Sequence, residues 1–157
     1  MYDSKTRPSV LILGGGFAGL SCASRLSSRR FAVHLVDQKQ HFEFLPNIHE
    51  ILSGVKSSAD VRLDLAQQMS ALGHDFTQAS IDSIAPDTKE VHLHNGTLLE
   101  YDYLIITLGA VDARYGVEGI DHNATSFKSA AQCEAISQQL SALALSSKAS
   151  RVTTVSY

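Results

Sequence analysis

The sequence predicts an α/β fold built on a parallel sheet, and three stretches carry that expectation. An apolar run, Val10-Leu11-Ile12-Leu13, breaks at three consecutive glycines and passes into helical periodicity. A second apolar run, Phe31 to Val36, follows the helix and ends at an acid, Asp37; a third begins at Tyr101 and ends in Thr107-Leu108-Gly109-Ala110. Near-continuous apolar strands separated by helical sequence are the pattern of strands buried on both faces.

Taken in order, residues 3 to 8 are a polar tail that ends in Pro8 and hands over to the first strand. Gly14, Gly16 and Gly19 then give G-x-G-x-x-G spacing. The first permits a tight strand-to-helix turn, the second lets a pyrophosphate approach the main chain, and the third lets helix and strand pack closely. The free N–H groups and positive end of the following helix face the phosphates. Ala18, Cys22, Ala23 and Leu26 recur at helical spacing and predict a helix from Phe17 to about Ser28. Asp37 lies 18 residues beyond Gly19, where the second strand of a Rossmann βαβ unit returns beside the first. A carboxylate there accepts hydrogen bonds from both ribose hydroxyls of an adenosine moiety and repels a 2′-phosphate.

An aromatic, proline-containing stretch over residues 38–54 stands where a plain NAD-binding domain would carry its next helix and strand. Residues 60–65 alternate polar and apolar, and Leu65 to Leu72 reads as a short helix stopped by Gly73. Phe76 to Ile84 alternates as one strand, and Pro86-Asp87-Thr88-Lys89 is a turn. Val91 and Leu93, the Asn95-Gly96 pair and Thr97-Leu98-Leu99 predict a hairpin closed by a type I′ turn. The strand from Tyr101 ends in a glycine that lets backbone come close to a ligand at the carboxyl end of the sheet. Ser126 to Leu145 predicts a long amphipathic helix, and Arg151 to Tyr157 has strand-like β-branched content.

Composition narrows the function classes. With 157 residues, 44% hydrophobic and 18% charged, the chain can bury one ordinary core. A net charge of -3 with scattered basic residues leaves no electrostatic footprint for nucleic acid. No apolar run approaches the roughly 20 residues that span a bilayer, and Met1 to Arg7 lacks a secretion signal's apolar core, so a cytoplasmic location is expected. Cys22 and Cys133 are the only cysteines and have neither C-x-x-C nor zinc-finger spacing. His92 and His94 share one face of the hairpin, but a third ligand is missing nearby, and no metal site is expected. His41 and His49 sit on a loop, where structural roles are commoner than catalytic ones. No side chain stands out as acid, base or nucleophile.

The fuller pattern Gly14-x-Gly16-x-x-Gly19-x-x-x-Ala23-x-x-Leu26, with Val33 and Asp37, resembles the FAD fingerprint of two-dinucleotide-binding-domain flavoproteins. Arg30 stands where such proteins usually carry a glycine. Phe44-Leu45-Pro46, followed by a short helix ending near Ser53-Gly54, resembles type II NADH dehydrogenases and related pyridine nucleotide-disulfide oxidoreductase-like flavoproteins. The strand ending at Gly109 resembles the one these proteins place against the FAD pyrophosphate, commonly closing in Ala-Thr-Gly. Val117-Glu118-Gly119-Ile120 resembles their linker between domains.

The resemblance implies a Rossmann-like FAD/NAD(P)-binding domain with a β-hairpin insertion over residues 1–115. Residues 116–157 would be linker, helix and first strand of an incomplete NADH-binding domain, so that the chain is expected to be the first third or so of a complete enzyme. It implies that Gly14, Gly15, Gly16, Ala18 and Gly19 hold the FAD pyrophosphate and Asp37 the ribose, with Gln38 beside it among the cofactor-binding residues. Leu45, Pro46, Thr107 and Gly109 would line the cofactor, and Ile81 would lie over the adenine. The complete enzyme would pass a hydride from NADH to FAD and electrons to a quinone-like acceptor, associating peripherally with the inner face of a membrane through its C-terminal region. Two other readings stand beside it: a sulfide:quinone oxidoreductase-like enzyme that uses Cys133, and a non-catalytic nucleotide-binding fragment. Disulfide reduction would need a thiol pair soon after Asp37, and residues 38–60 contain no cysteine.

Overall fold

The computed structural model describes residues 7–113 and 115–145, and the strand expected over Arg151 to Tyr157 lies outside them. The chain divides into two compact units, Met1–Phe42 with Leu63–Val111 and Glu43–Arg62 with Asp112–Tyr157. In chain order the elements are β1 (Ser9–Leu13), α1 (Phe17–Arg25), β2 (Ala32–Asp37), β3 (His41–Glu43), α2 (His49–Leu52), β4 (Arg62–Asp64), α3 (Leu65–Leu72), β5 (Asp75–Gln78), β6 (Ile81–Ala85), β7 (Glu90–Leu93), β8 (Leu98–Glu100), β9 (Tyr103–Ile106), α4 (Ile120–Asn123) and α5 (Ala130–Leu145).

The first unit holds a four-stranded sheet in the order β5-β2-β1-β9. All three pairings are parallel, with Val10 beside both Val33 and Tyr103. Strand periodicity divides β1 between two cores. Val10 and Ile12 face α1 and α3, packing with Ala23, Val33, Leu35, Leu65 and Met69. Leu11 and Leu13 face the other way and pack with Val36, Val91, Leu93 and Tyr101, beneath the antiparallel sheet β6-β7-β8. β1 is therefore buried on both faces, which is why it reads as an unbroken apolar run.

Side chains fix the ends of this layer. Asp102 Oδ2 accepts from Ser9 N–H at 2.7 Å and from Ser9 Oγ at 3.0 Å, joining the amino ends of β9 and β1. The α1 helix stops at Arg25 rather than Ser28, because Leu26 turns extended at φ -90 and ψ 118. Its last carbonyls, Ala23 O and Leu26 O, meet His74 Nε2 at 3.2 and 2.9 Å. Arg30 lies in the tight turn closed by its N–H on Ser27 O at 2.9 Å. Among the described non-glycine residues only Lys89 and Tyr115 have positive φ, so Arg30 replaces the usual glycine without left-handed strain. The α3 helix spans the expected residues, capped by Asp64 on Gln67 N–H at 2.8 Å and ended by Gly73 at φ 73.

Two expectations about the strands also change. Residues 76–84 are not one strand: β5 joins β2, and β6 joins β7 in the other sheet. The crossing at Ala79-Ser80 is stable because Ala79 N–H bonds Asp37 O and Ser80 O accepts His94 N–H, each at 2.9 Å. The hairpin between β7 and β8 does not close by a type I′ turn, since Asn95 keeps a negative φ and only Gly96 is left-handed at φ 84. Gly96 N–H bonds Leu93 O and Leu93 N–H bonds Thr97 O, each at 2.9 Å, the pattern of a three-residue loop with a glycine bulge.

The second unit is small. Ile48, Ile51 and Val61 pack on Ala130 and Cys133 of α5. Ser57 and Asp60 form a capping box, Ser58 Oγ donates to Glu134, and Ser137 Oγ to Leu52 O at 3.4 Å. The α5 helix begins at Ala130, four residues after the expected start, and its apolar stripe is buried only at Ala130 and Cys133. β3 and β4 form a separate two-stranded sheet.

A Cβ at Gly73 would stand 2.9 Å from Ser28 Oγ on a left-handed backbone. Gly73→Ala is expected to lower the unfolding free energy by about 1–2 kcal/mol; an unchanged urea midpoint would contradict it. Acid should weaken the fold in two steps. Burial pushes the His34 imidazole below its ordinary 6.5, with Asp75 opposing, and the Ser9 hydrogen bonds hold Asp102 below 3.8. In both cases the unfolded chain takes up the proton first, so stability falls as pH drops below about 6.5 and again below about 3.8. Thermal midpoints of His34→Gln across the upper window, and of Asp102→Asn across the lower, should each show a flatter decline than the parent chain.

Candidate functional site

The carboxyl ends of β1, β2 and β9 converge on the glycine turn, the place where open parallel sheets bind ligands. Gly14 has φ 105, and a Cβ there would come within 2.3 Å of Thr107 O. Only glycine satisfies both the backbone and the space. Gly19 is fixed still more tightly: its Cβ would stand 1.9 Å from Gly14 O. At Gly15 a Cβ would press on Leu65 Cδ1 at 2.7 Å. Gly16 differs from all three, because nothing lies within 4 Å of its Cβ position.

The amides divide in the same way. Gly14 N–H donates to Val36 O at 2.8 Å and Gly15 N–H to Asp37 Oδ2 at 2.6 Å, so both serve the fold. Gly14, Gly15 and Gly19 are buried, whereas Gly16, Phe17 and Ala18 are exposed. Gly16 caps the nine-residue α1 with extended backbone, and the first turn carries no acid to compete with an anion. The exposed start of α1, Gly16 to Ala18, is where a helix amino end presents its first N–H groups.

Asp37 ends β2, half-buried, and its Oδ1 accepts Lys39 N–H at 2.7 Å. Gln38 is exposed, with its carbonyl accepting Gln78 Nε2 at 3.2 Å. Thr107 N–H donates to Leu13 O at 2.7 Å, and its hydroxyl lies 2.9 Å from the carbonyl oxygens of Leu13 and Gly14. Gly109 is left-handed at φ 78 with open space around it. Ile81 opens β6 and packs against the core of Leu13, Val36 and Val91. Leu45 and Pro46 lie in a short 3-10 turn of the second unit, where both are exposed.

A cavity of about 160 Å³ lies toward the amino ends of β1 and β2, beside Ser9, His34, Asp75 and Glu100, away from the glycine turn. Among the described residues no group of three or more His, Cys, Asp or Glu could hold a metal ion. His41 and His92 each sit 3.9 Å from a carboxylate, Asp64 and Glu90. Cys133 is fully buried, and burial pushes its thiol up. Sequence reasoning missed the contacts of Thr107 and Leu65 with the turn, because both come from distant segments and have no local pattern.

Residues 8–155 match the pyridine nucleotide-disulphide oxidoreductase family. The alternative NAD(P)H-ubiquinone oxidoreductase C1 of Arabidopsis thaliana is 31% identical over 161 residues, covering 90% of this chain and 31% of that protein. The type II NADH:quinone oxidoreductase of Staphylococcus aureus is 25% identical over 141 residues, covering 87% and 35%. The solved structure of sulfide:quinone oxidoreductase from Aquifex aeolicus superposes with a TM-score of 0.81 at 27% identity, covering 87% of this chain and 32% of that one. This chain thus spans about a third of the length of each of these relatives. With the family match over nearly its whole length, and with a glycine turn whose buried and open positions fit a dinucleotide cradle, the chain belongs to the pyridine nucleotide-disulphide oxidoreductase family.

Proposed function

We propose that the chain supplies the FAD-binding Rossmann-like segment of an NAD(P)H dehydrogenase that delivers electrons to a quinone-like acceptor. The observation that carries this is the open ground at Gly16, next to exposed α1 amides and within the same turn that Asp37 closes. The residues fit the group: a Cβ at residue 16 would occupy the space a pyrophosphate needs, while residues 14 and 19 are sealed by the protein itself.

In this reading the Gly16, Phe17 and Ala18 amides and the positive end of α1 bind the pyrophosphate. Asp37 takes the adenosine ribose, with Gln38 at its side. Thr107 and Gly109 line the cofactor by their backbone, and Ile81 flanks the adenine. FAD, when bound, supplies the hydride-accepting and electron-relaying chemistry. NADH as donor and a quinone as acceptor are read from the names of the Arabidopsis and Staphylococcus relatives. Residues 116–157 would lead toward the NADH-binding part. Among the described residues no helix is long and apolar enough to cross a membrane.

The sulfide:quinone alternative has support in the Aquifex structure. It needs a reactive thiolate, however, and the Cys133 sulfur is buried, which pushes its thiol up, the opposite of an activated cysteine. A non-catalytic nucleotide-binding role would use the same turn and differs only in lacking electron transfer.

Two substitutions separate ligand binding from folding. Gly16→Ala lowers the unfolding free energy by no more than about 1 kcal/mol, the cost of a poorer N-cap, since its methyl meets open space, but weakens ADP and FAD binding by at least about 10-fold, roughly one lost charged hydrogen bond. Calorimetric titration showing parental affinity in Gly16→Ala would refute the proposed cradle. Asp37→Ala should weaken ADP by about 10-fold or more through loss of the ribose bonds. The same substitution should narrow the parent chain's preference for ADP over its 2′-phosphorylated form, and an undiminished preference would remove Asp37 from the ribose.

A further inference from the structure

The peptide unit joining Gly14 to Gly15 is held from both ends. Its N–H, on Gly15, donates to Asp37 Oδ2 at 2.6 Å. Its carbonyl oxygen, on Gly14, accepts from the Thr107 hydroxyl at 2.9 Å. Leu13 O is equally near that hydroxyl but already receives Thr107 N–H at 2.7 Å, so the bond that only the side chain can supply is the one to Gly14. The hydroxyl is half-buried and stands 3.0 Å from the Cβ position of Gly19, between the turn and α1. A peptide between two glycines has little steric preference for one orientation of its plane over the reverse. Rotating this one would withdraw Gly15 N–H from Asp37 and move the start of the exposed amides at Gly16.

We propose that Thr107 and Asp37 form a two-sided clamp on the Gly14–Gly15 peptide, and that Thr107 is a positioning residue which aims the phosphate-binding amides through this peptide. This rests on the nucleotide-binding role proposed above and adds a part to it: the side chain of Thr107 serves the turn, while its backbone lines the site. The clamp couples the two ends of the adenosine diphosphate moiety, since the carboxylate offered to the ribose also holds the turn offered to the phosphates. Thr107 and Asp37 are then energetically coupled although neither touches the other in the hydrogen-bond network.

The test uses the full chain, ADP as probe and the Gly15 amide resonance of the unliganded protein as a second readout. Thr107→Val, which keeps the shape and removes the hydroxyl, should weaken ADP by about 10-fold. Thr107→Ser should restore affinity to within about twofold of the parent, as expected when the hydroxyl alone matters. The Gly15 amide proton, deshielded by its carboxylate bond, should shift upfield in Thr107→Val and stay in place in Thr107→Ser. In a double-mutant cycle the losses from Thr107→Val and Asp37→Ala should fall short of additive. Parental affinity with an unmoved Gly15 resonance in Thr107→Val overturns the clamp, as does a serine variant as defective as valine. If valine prevents folding, Thr107→Ala removes the same hydroxyl and faces the same criteria. Should the parent bind no ADP while the Gly15 resonance still follows the hydroxyl, the clamp stands and the nucleotide role fails.

Discussion

The approach of α1 to the end of β1 is the constraint on which the first unit depends. Residue 19 lies so near the Gly14 carbonyl that a Cβ would sit 1.9 Å from its oxygen. That distance admits no side chain, and it brings the first turn of α1 directly over the carboxyl end of the central strand. The Ala23 methyl can then pack among Val10, Ile12, Val33 and Leu35, which fixes the helix against the sheet. A helix held off by even a methyl group would aim its amino end elsewhere, and the anion-binding end of the dipole with it. One glycine thus sets helix packing and site geometry together.

The remaining glycines are obligatory for different reasons, and the difference sorts structure from function. Gly14 is closed off by Thr107 backbone, and Gly15 by the Leu65 and Leu35 side chains. These are demands of the fold, felt whether or not a ligand ever arrives. Gly16 faces open space, so no neighbour excludes a methyl there and the fold's preference is only that of a helix N-cap. Its lack of a side chain suits the N-cap of α1 and leaves the ground in front of the helix open. The spacing motif treats the glycines as one signal, whereas the structure separates three that serve packing from one that faces outward.

Much of the first unit was legible in the sequence because its information is local. β1 and β2 announce themselves as apolar runs, and α3 carries a capping Asp64 and a stopping Gly73 within its own ten residues. The errors fell where pairing between segments, rather than the pattern within one, decides the structure. Alternation over 76–84 is continuous, and only pairing with β2 on one side and β7 on the other shows that it serves two sheets. Asn95-Gly96 suits two hairpin geometries, and the register of β7 with β8 selects the three-residue loop. The association of α5 with residues 48–61 has no local signature at all, since Ala130 and Cys133 are unremarkable until Ile48, Ile51 and Val61 are set against them. In the site, the acid and the glycines were readable as spacing. The hydroxyl of Thr107, 93 residues from Gly14, was not.

Asp37 shows why spacing alone understates the site. Each carboxylate oxygen accepts one backbone N–H, from Gly15 at 2.6 Å and from Lys39 at 2.7 Å. A carboxylate has about four acceptor positions, so two backbone bonds orient it while leaving capacity on both oxygens for a pair of hydroxyls. The group is therefore aimed before any ligand binds, and the ordering that a free carboxylate would undergo on binding is already complete. The same two bonds tie the acid to the chain on either side of the sheet's edge, one to the glycine turn and one to the exit from β2. An acid placed at the end of β2 by its position in the sequence is thus converted by the turn into a fixed acceptor, and the turn is in turn held by the acid.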